Sequence, residues 1–254
     1  MQITFTGTGT SQGIPVIACN CDVCQSDDIF DKRLRSSIHI QTDIVSIVID
    51  TGPDFRQQML RENIKQLDAV VFTHEHKDHT AGLDDVRAFN FVQKKAMKVY
   101  ATQQVQQALK REFAYAFADT KYPGVPEIIL KEINEQTPFT INGVTLIPIL
   151  VYHYKLPVLG FRIGDFTYIT DANFIPEMEK DKIKGSKVIA INALRRQSHI
   201  SHFTLEEAIA LMEELKPEKA YFTHISHQLG KHKDVSKELP SFIQLAYDGL
   251  KISV

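Results

Sequence analysis

The stretch His74-Glu75-His76-Lys77-Asp78-His79 places three histidines and two acids in six residues, directly after the apolar run Leu67–Phe72. A short apolar run followed by polar residues reads as a buried strand, so the cluster stands where a strand ends. On a helix, His74 and His76 would point about 200° apart and could not share an ion. In an extended segment, residues i and i+2 lie on one face, and both imidazoles can grip the same metal. A bend after His76 would bring Asp78 and His79 toward a second. Imidazole and carboxylate donors together suit zinc, iron or manganese.

Upstream of this cluster, residue patterning predicts strands at Gln2–Phe5, Ser37–Ile40 and Ile44–Ile49. The last runs into Asp50-Thr51-Gly52-Pro53, where Gly and Pro stop the strand and Pro53 can open a helix to Glu62. Helices are expected over Asp84–Phe91 and Gln103–Phe117, with Phe113 and Phe117 on one face. The second half predicts strands Val144–Val151, Val158–Ile163, Phe166–Thr170, Val188–Asn192, Ala220–Thr223, Phe242–Leu245 and Leu250–Val254. Between the fourth and fifth of these a helix opens at Thr204, which has the capping-box spacing to Glu207.

The halves echo each other. Ser46–Asp50 and Phe166–Asp171 are both strands ending in aspartate, and Val70–His74 and Ala220–His224 both end in Phe-Thr-His. The echo suggests two similar sheets packed face to face, with polar residues gathered at matching strand ends. Loops at such a rim can aim side chains at one point.

All three cysteines, Cys19, Cys21 and Cys24, fall within six residues. An odd, tightly spaced set is a poor disulfide framework and a good metal cluster. Three thiolates are one donor short of a closed tetrahedral zinc site.

His-x-His-x-Asp-His after an apolar strand resembles the signature of the metallo-β-lactamase superfamily. Thr6-Gly7-Thr8-Gly9-Thr10-Ser11-Gln12-Gly13, Ile49-Asp50-Thr51-Gly52, Phe222-Thr223-His224-Ile225-Ser226-His227-Gln228 and Tyr247-Asp248-Gly249-Leu250-Lys251-Ile252 resemble its PhnP-like phosphodiesterases. The resemblance implies an α/β fold (α+β by some schemes), a four-layered αββα sandwich formed by one domain over residues 1–254. It also implies that His74, His76 and His153 bind one divalent ion, that Asp78, His79 and His224 bind another, and that Asp171 bridges them. Alone, His153 reads as a core or turn histidine and Asp171 as a turn residue. The resemblance further makes His227 the fourth ligand of a structural zinc, and gives His202 substrate contact and acid catalysis. Lys155 is a candidate partner for a second phosphate. Asp50 looks placed to orient a ligand histidine.

Two ions, zinc or manganese, can share a water and lower its pKa enough to give hydroxide near neutral pH. Asp78, Asp171 and a hydroxide leave about one net positive charge on such a pair, which suits a phosphodiester monoanion. The expected function is therefore hydrolysis of small phosphodiesters, cyclic ribose or nucleoside phosphates in particular. Asp78, Asp171 and His202 carry the catalytic assignment. A ribonuclease Z-type nuclease and a thioester or lactam hydrolase share the fold and stand as alternatives.

Composition narrows the partners. With 29 Lys and Arg against 31 Asp and Glu, the net charge is −2, so no global basic field gathers nucleic acid or an anionic membrane. The first residues, MQITFTGTGTS, lack the charged lead-in and apolar run of a signal peptide. The expectation is a cytoplasmic enzyme with a small phosphodiester substrate, no membrane partner and nucleic acid disfavoured. A homodimer remains open. Phe113–Phe117 and Tyr122–Pro126 match the PhnP-like proteins least; core packing, a lid and a dimer contact are all open for them.

Overall fold

The computed structural model describes residues 1–120 and 122–254. Its first half forms β1 (Gln2–Gly7), β2 (Ser37–Gln41), β3 (Ser46–Ile49), β4 (Ala69–Val71), β5 (Met97–Ala101) and β6 (Ile128–Glu132). There follow β7 (Phe139–Ile141), β8 (Val144–His153), β9 (Leu156–Ile163), β10 (Phe166–Ile169), β11 (Val188–Asn192), β12 (Lys219–Thr223), β13 (Ile243–Leu245) and β14 (Lys251–Ser253). They assemble into two seven-stranded sheets, ordered β14-β1-β2-β3-β4-β5-β6 and β13-β12-β11-β10-β9-β8-β7. Each sheet starts antiparallel and turns parallel, the first after β3 and the second after β10.

Parallel neighbours need long crossovers, and helices supply most of them: α1 (Phe55–Arg61), α2 (Lys77–Thr80), α3 (Arg87–Gln93), α4 (Gln103–Glu112), α5 (Ala114–Phe117), α6 (Glu177–Ile183), α7 (Leu205–Leu215) and α8 (His232–Val235). The period of two in each strand then divides the core. In β3, Ile47 and Ile49 join the core between the sheets with Ile38, Phe161 and Tyr168, while Val48 joins the outer core. That outer core holds Phe55 and Met59 of α1, Phe89 of α3 and Leu109 of α4. On the far side, Ala208, Leu211 and Met212 of α7 pack on Ile169, Ile191 and Phe222. The layers are αββα, as the family resemblance implies. Among the described residues, no helix is long and apolar enough to cross a membrane.

Local differences have local causes. The helix expected over Gln103–Phe117 breaks at Phe113 (φ −108°, ψ 39°), which buries the ring in the outer core. Phe117 packs against the same core, so of the three readings of this pair it is core packing that the structure shows. The strand expected from Ile44 starts at Ser46, because Thr42 Oγ1 accepts the amides of Ile44 and Val45 in a turn. The capping box at Thr204 and Glu207 is formed. Strands β5, β6 and β7 and helix α6 were not predicted.

Candidate metal centre

The parallel strands aim their carboxyl ends at one edge of the sandwich. Asp50 follows β3, the histidine cluster follows β4, Asp171 follows β10 and His224 follows β12; His153 ends β8. Asp50, Asp171 and His224 all take left-handed backbone, with φ of 65°, 57° and 54°. Non-glycine residues pay about 1–3 kcal/mol for such conformations, which persist where the surroundings dictate them. Here the turn lets the side chains converge: Asp50 meets His79 at 2.7 Å and Asp171 meets His224 at 3.0 Å. The chain also passes close at Gly52, where a Cβ would collide with the Asp78 carbonyl.

His76 is extended (φ −61°, ψ 149°) and α2 starts immediately after it. The predicted bend is thus one helical turn. The rings of His74 and His76 lie 4.6 Å apart, and those of His74 and His79 lie 4.3 Å apart. Three donor groups form, each with ligand atoms within 4.8 Å of one another: Asp78, His79, Asp171 and His224; His74, His76 and Asp171; His153, Asp171 and His202. Asp171 belongs to all three. Its Oδ2 is 3.7 Å from His74 Nε2 and 3.3 Å from His79 Nε2, and its Oδ1 is 3.0 Å from His224 Nδ1. His153 stands with Asp171 and His202, its ring 5.1 Å from that of His76.

Hydrogen bonds behind the donors set their tautomers. His79 Nδ1 donates to Asp50 Oδ2 at 2.7 Å, so in the neutral ring it is Nε2 that carries the lone pair. Thr73 Oγ1 gives its one proton to Asp50 Oδ2 at 2.8 Å, so at 2.9 Å it must accept from His74 Nδ1. His153 Nδ1 donates to the Ser201 carbonyl at 2.8 Å. A ring nitrogen held this way frees the other as a ligand and fixes its aim. His224 contacts Ser36 Oγ through Nδ1 (3.0 Å) and Thr10 Oγ1 through Nε2 (3.2 Å).

The fit to a metal is visible in what lacks a partner. His74 Nε2 and His79 Nε2 are buried and accept no hydrogen bond. His79 Nε2 lies 3.2 Å from Asp78 Oδ2 without hydrogen-bond geometry. Leaving a buried polar atom unpaired costs about 1–3 kcal/mol, and a shared cation removes that cost for every donor together. Charge agrees. Burial pushes the Asp171 carboxyl up, but His224, His79 and His74 overcome it and hold the group well below the carboxylate range. Asp78 is likewise held low, His79 outweighing burial. Burial drives His74 and His224 below their ordinary value, which keeps them neutral and able to coordinate. His79 alone is raised: burial opposes its charge, but Asp171, Asp78 and Asp50 surround it. In the cation-free site, the proton on His79 stands where a metal would.

His202 is 7% exposed, its ring 4.5 Å from that of His153 and 4.9 Å from that of His224. Its Nδ1 has no partner, and burial pushes its pKa down to about 2. His199 is half-buried beside it, with ring centroids 5.0 Å apart. Lys155 is exposed, its Nζ 5.3 Å from the Tyr154 ring centroid.

The second cluster forms as well. Sγ of Cys19, Cys21 and Cys24 lie 3.4, 3.2 and 3.6 Å from His227 Nδ1. The Cys24 amide, followed by His227, lowers Cys21 to about 6, while burial lifts Cys24 to about 11. A cation would reverse the second effect, since coordination deprotonates thiols.

Sequence reasoning missed Thr10, Ser36, Thr73 and Ser201, which orient the histidines. Arg33 is 3% exposed and donates to Thr8 Oγ1 (2.7 Å) and the Ala246 carbonyl (2.6 Å), near Asp248, which receives the Leu34 amide at 2.7 Å. This knot explains the Tyr247-Asp248-Gly249 motif as structural. Arg35 is tied to Asp54 at 3.0 Å.

Comparison with known proteins identifies the family of the fold. The family model for the beta-lactamase superfamily domain matches residues 46–225. A crystal structure of a new diphosphatase from the PhnP family is similar at 39% identity and a TM-score of 0.92, over 99% of this chain and 96% of that one. Zinc-bound PqqB from Methylobacterium extorquens shares the fold at 18% identity and a TM-score of 0.81, covering 100% of both chains. A protein of Porphyromonas gingivalis (strain ATCC BAA-308 / W83) named octanoyltransferase is 40% identical over 253 residues, 99% of this chain but 51% of its own length. The chain thus spans about half of that relative.

Proposed function

Because this chain belongs to the metallo-β-lactamase superfamily, in its PhnP-like branch, and is an enzyme, we propose that it is a metal-dependent phosphodiesterase acting on small ribose- or nucleoside-type phosphodiesters. One observation carries the reading: donors from separate strand ends converge on Asp171, while His74 Nε2 and His79 Nε2 stay buried and unpartnered. His74, His76 and His153 would hold one divalent ion and Asp78, His79 and His224 a second, with Asp171 between them. Such a pair supplies Lewis acidity and an acidified water near neutral pH.

The chain's own residues do the rest. Only Asp78 and Asp171 bring negative charge to the donor set, which suits it to a phosphodiester monoanion. Asp50, Thr73, Ser36 and the Ser201 carbonyl keep the imidazoles aimed before substrate arrives, so little reorganisation is needed. His76 is exposed and marks the open side. His202, neutral through burial, has an N–H to offer a phosphate oxygen, and an anion beside it raises its pKa toward that of an acid for the departing alkoxide. Lys155 serves as an outer cation. Cys19, Cys21, Cys24 and His227 make a closed zinc site that staples the N-terminal loop to the segment after β12; it leaves no position for substrate.

A second reading, acyl thioester chemistry, draws on the name of the P. gingivalis relative. One panel separates the two. Purified protein is assayed for metal content and then, with Mn²⁺ or Zn²⁺, against bis(p-nitrophenyl) phosphate, 2′,3′-cyclic nucleotides and an octanoyl thioester. Turnover of the diesters is the expected result. Thioester cleavage without diester turnover would overturn the proposal.

A further inference from the structure

Strand β10 pairs in parallel with β11 as far as Ile169 with Ile191. The ladder stops one residue short of Asn192, the last residue of β11, because the chain turns away at Asp171 with φ 57°. There the side chain of Asn192 takes over. Its Oδ1 accepts the Ala172 amide and its Nδ2 donates to the Ala172 carbonyl, both at 2.9 Å. A carboxamide carries an acceptor and a donor side by side, so it meets both polar groups of one residue as a neighbouring strand would. The pairing also fixes which way the carboxamide faces, since a flip would set N–H against N–H and oxygen against oxygen. Asn192 and Ala172 are both 0% exposed, so water offers neither group an alternative.

Ala172 matters for what lies beside it. Asp171, the residue before, is shared by all three donor groups. Left-handed backbone at a non-glycine residue persists only where its surroundings dictate it, and the Asn192 clamp holds the peptide that leaves this turn. Thr170 Oγ1 donates to Asp171 Oδ1 at 2.9 Å, but Thr170 belongs to the turning segment itself. Asn192 comes from the adjoining strand, where its register with Thr223 of β12 anchors it. The Ala172 carbonyl takes a second donor, the Phe203 amide at 2.8 Å, from the residue after His202. One carbonyl therefore joins the Asp171 turn, strand β11 and the His202 segment.

We propose that Asn192 is a positioning residue of the metal centre: its carboxamide fixes where Asp171 stands among the donors and ties the His202 segment to the same carbonyl. It acts through the Ala172 peptide and not as a ligand. The proposal rests on the metal-dependent reading above and is independent of which ester is cleaved.

The test replaces Asn192 with Leu, close in size but without hydrogen bonds, in the full chain holding its cysteine-site zinc. Thr167→Val is the matched control, since it removes a buried bond to Ser186 Oγ (2.7 Å) within the first half of β10. Mn²⁺ is titrated calorimetrically into each protein after the catalytic pair has been stripped. Asn192→Leu should bind it roughly 10–100-fold more weakly than the wild type, whereas Thr167→Val should keep wild-type affinity at a similar loss of Tm. At saturating Mn²⁺, Asn192→Leu should also slow a 2′,3′-cyclic nucleotide more than bis(p-nitrophenyl) phosphate, because a displaced His202 matters most to the poorer leaving group. Unchanged Mn²⁺ affinity in Asn192→Leu, or an equal loss in Thr167→Val, would make Asn192 a structural residue and overturn the proposal. Equal slowing of both substrates would overturn its link to His202. Should Asn192→Leu not fold, Asn192→Ala carries the same expectation and the same refutation. A wild-type chain that takes up neither Mn²⁺ nor Zn²⁺ at the stripped pair sinks the metal-centre reading itself, and the proposal with it.

Discussion

His79 Nδ1 and Asp50 Oδ2 meet at 2.7 Å with neither side chain exposed to solvent. The same carboxylate receives the Thr73 amide at 2.9 Å and the Thr73 hydroxyl at 2.8 Å. Asp50 therefore orients His79 directly and His74 through Thr73. Asp50→Asn keeps the size and tolerates the left-handed backbone but loses the charge that fixes the tautomers. Its metal affinity should fall roughly 10–100-fold, read by chelator competition, with circular dichroism unchanged. Wild-type affinity in the variant would show that the bond orients nothing.

The division between what could be read in the sequence and what could not follows from this arrangement. His74 to His79 was legible because strand and bend spacing alone bring the four side chains together. His153, Asp171 and His224 lie far apart along the chain, and only the family pattern linked them to it. Thr10, Ser36, Thr73 and Ser201 carry no sequence signal, since Ser and Thr are common and their role depends on neighbours from other strands. Helix α6 was missed because its charges are satisfied by i,i+3 pairs such as Glu179 with Lys182, and only Ile183 is buried. Strand β6 is a largely exposed edge, so its alternation is weak. The capping box was legible because its partners are three residues apart.

Asp171 touches every donor group, so Asp171→Ala should cost both occupancy and rate. Turnover of a diester should drop at least roughly 10³-fold, and elemental analysis should show metal lost from the catalytic pair. Full metal content with near-normal turnover would remove Asp171 from the centre.

Cys21→Ser tests the staple. The Cys–His cluster joins residues 203 to 208 positions apart, and metal affinity at such a site acts as folding energy. The variant should lose one zinc equivalent, and its Tm should fall by roughly 10 °C. Residual folded protein should keep its kcat at the catalytic pair. Loss of kcat in fully folded protein would refute a purely structural role.

Away from the centre, His39 sits in the first sheet with Nε2 2.8 Å from Ser46 Oγ, whose proton goes to the Gln66 carbonyl at 2.7 Å. Burial, more than its neighbours, lowers His39 from 6.5 to about 4. The unfolded chain therefore binds this proton first as pH falls, and stability is lost between the unfolded and folded values rather than gained. Between about pH 7 and about pH 5, His39 should account for about 2 kcal/mol of lost stability. His39→Gln can still donate to Ser46 but cannot titrate. Urea unfolding of metal-loaded protein at both pH values should show a smaller pH dependence in the variant by that amount. Equal dependence would mean that His39 charges without penalty.

His202 is separable from the metal donors by the leaving group. If it donates a proton to the departing oxygen, its importance must scale with how badly that oxygen needs one. An alkoxide such as the ribose 2′-oxygen leaves poorly without a proton, whereas p-nitrophenolate leaves as the anion. His202→Ala should therefore slow a 2′,3′-cyclic nucleotide by roughly 10²–10⁴-fold and bis(p-nitrophenyl) phosphate by less than about 10-fold. Both rates must be taken at matched metal content, because His202 shares a donor group with His153 and Asp171. An equal loss on both substrates, with metal content intact, would make His202 a binding residue. An equal loss accompanied by falling metal content would instead make it a ligand, a role its 4.5 Å ring separation from His153 permits.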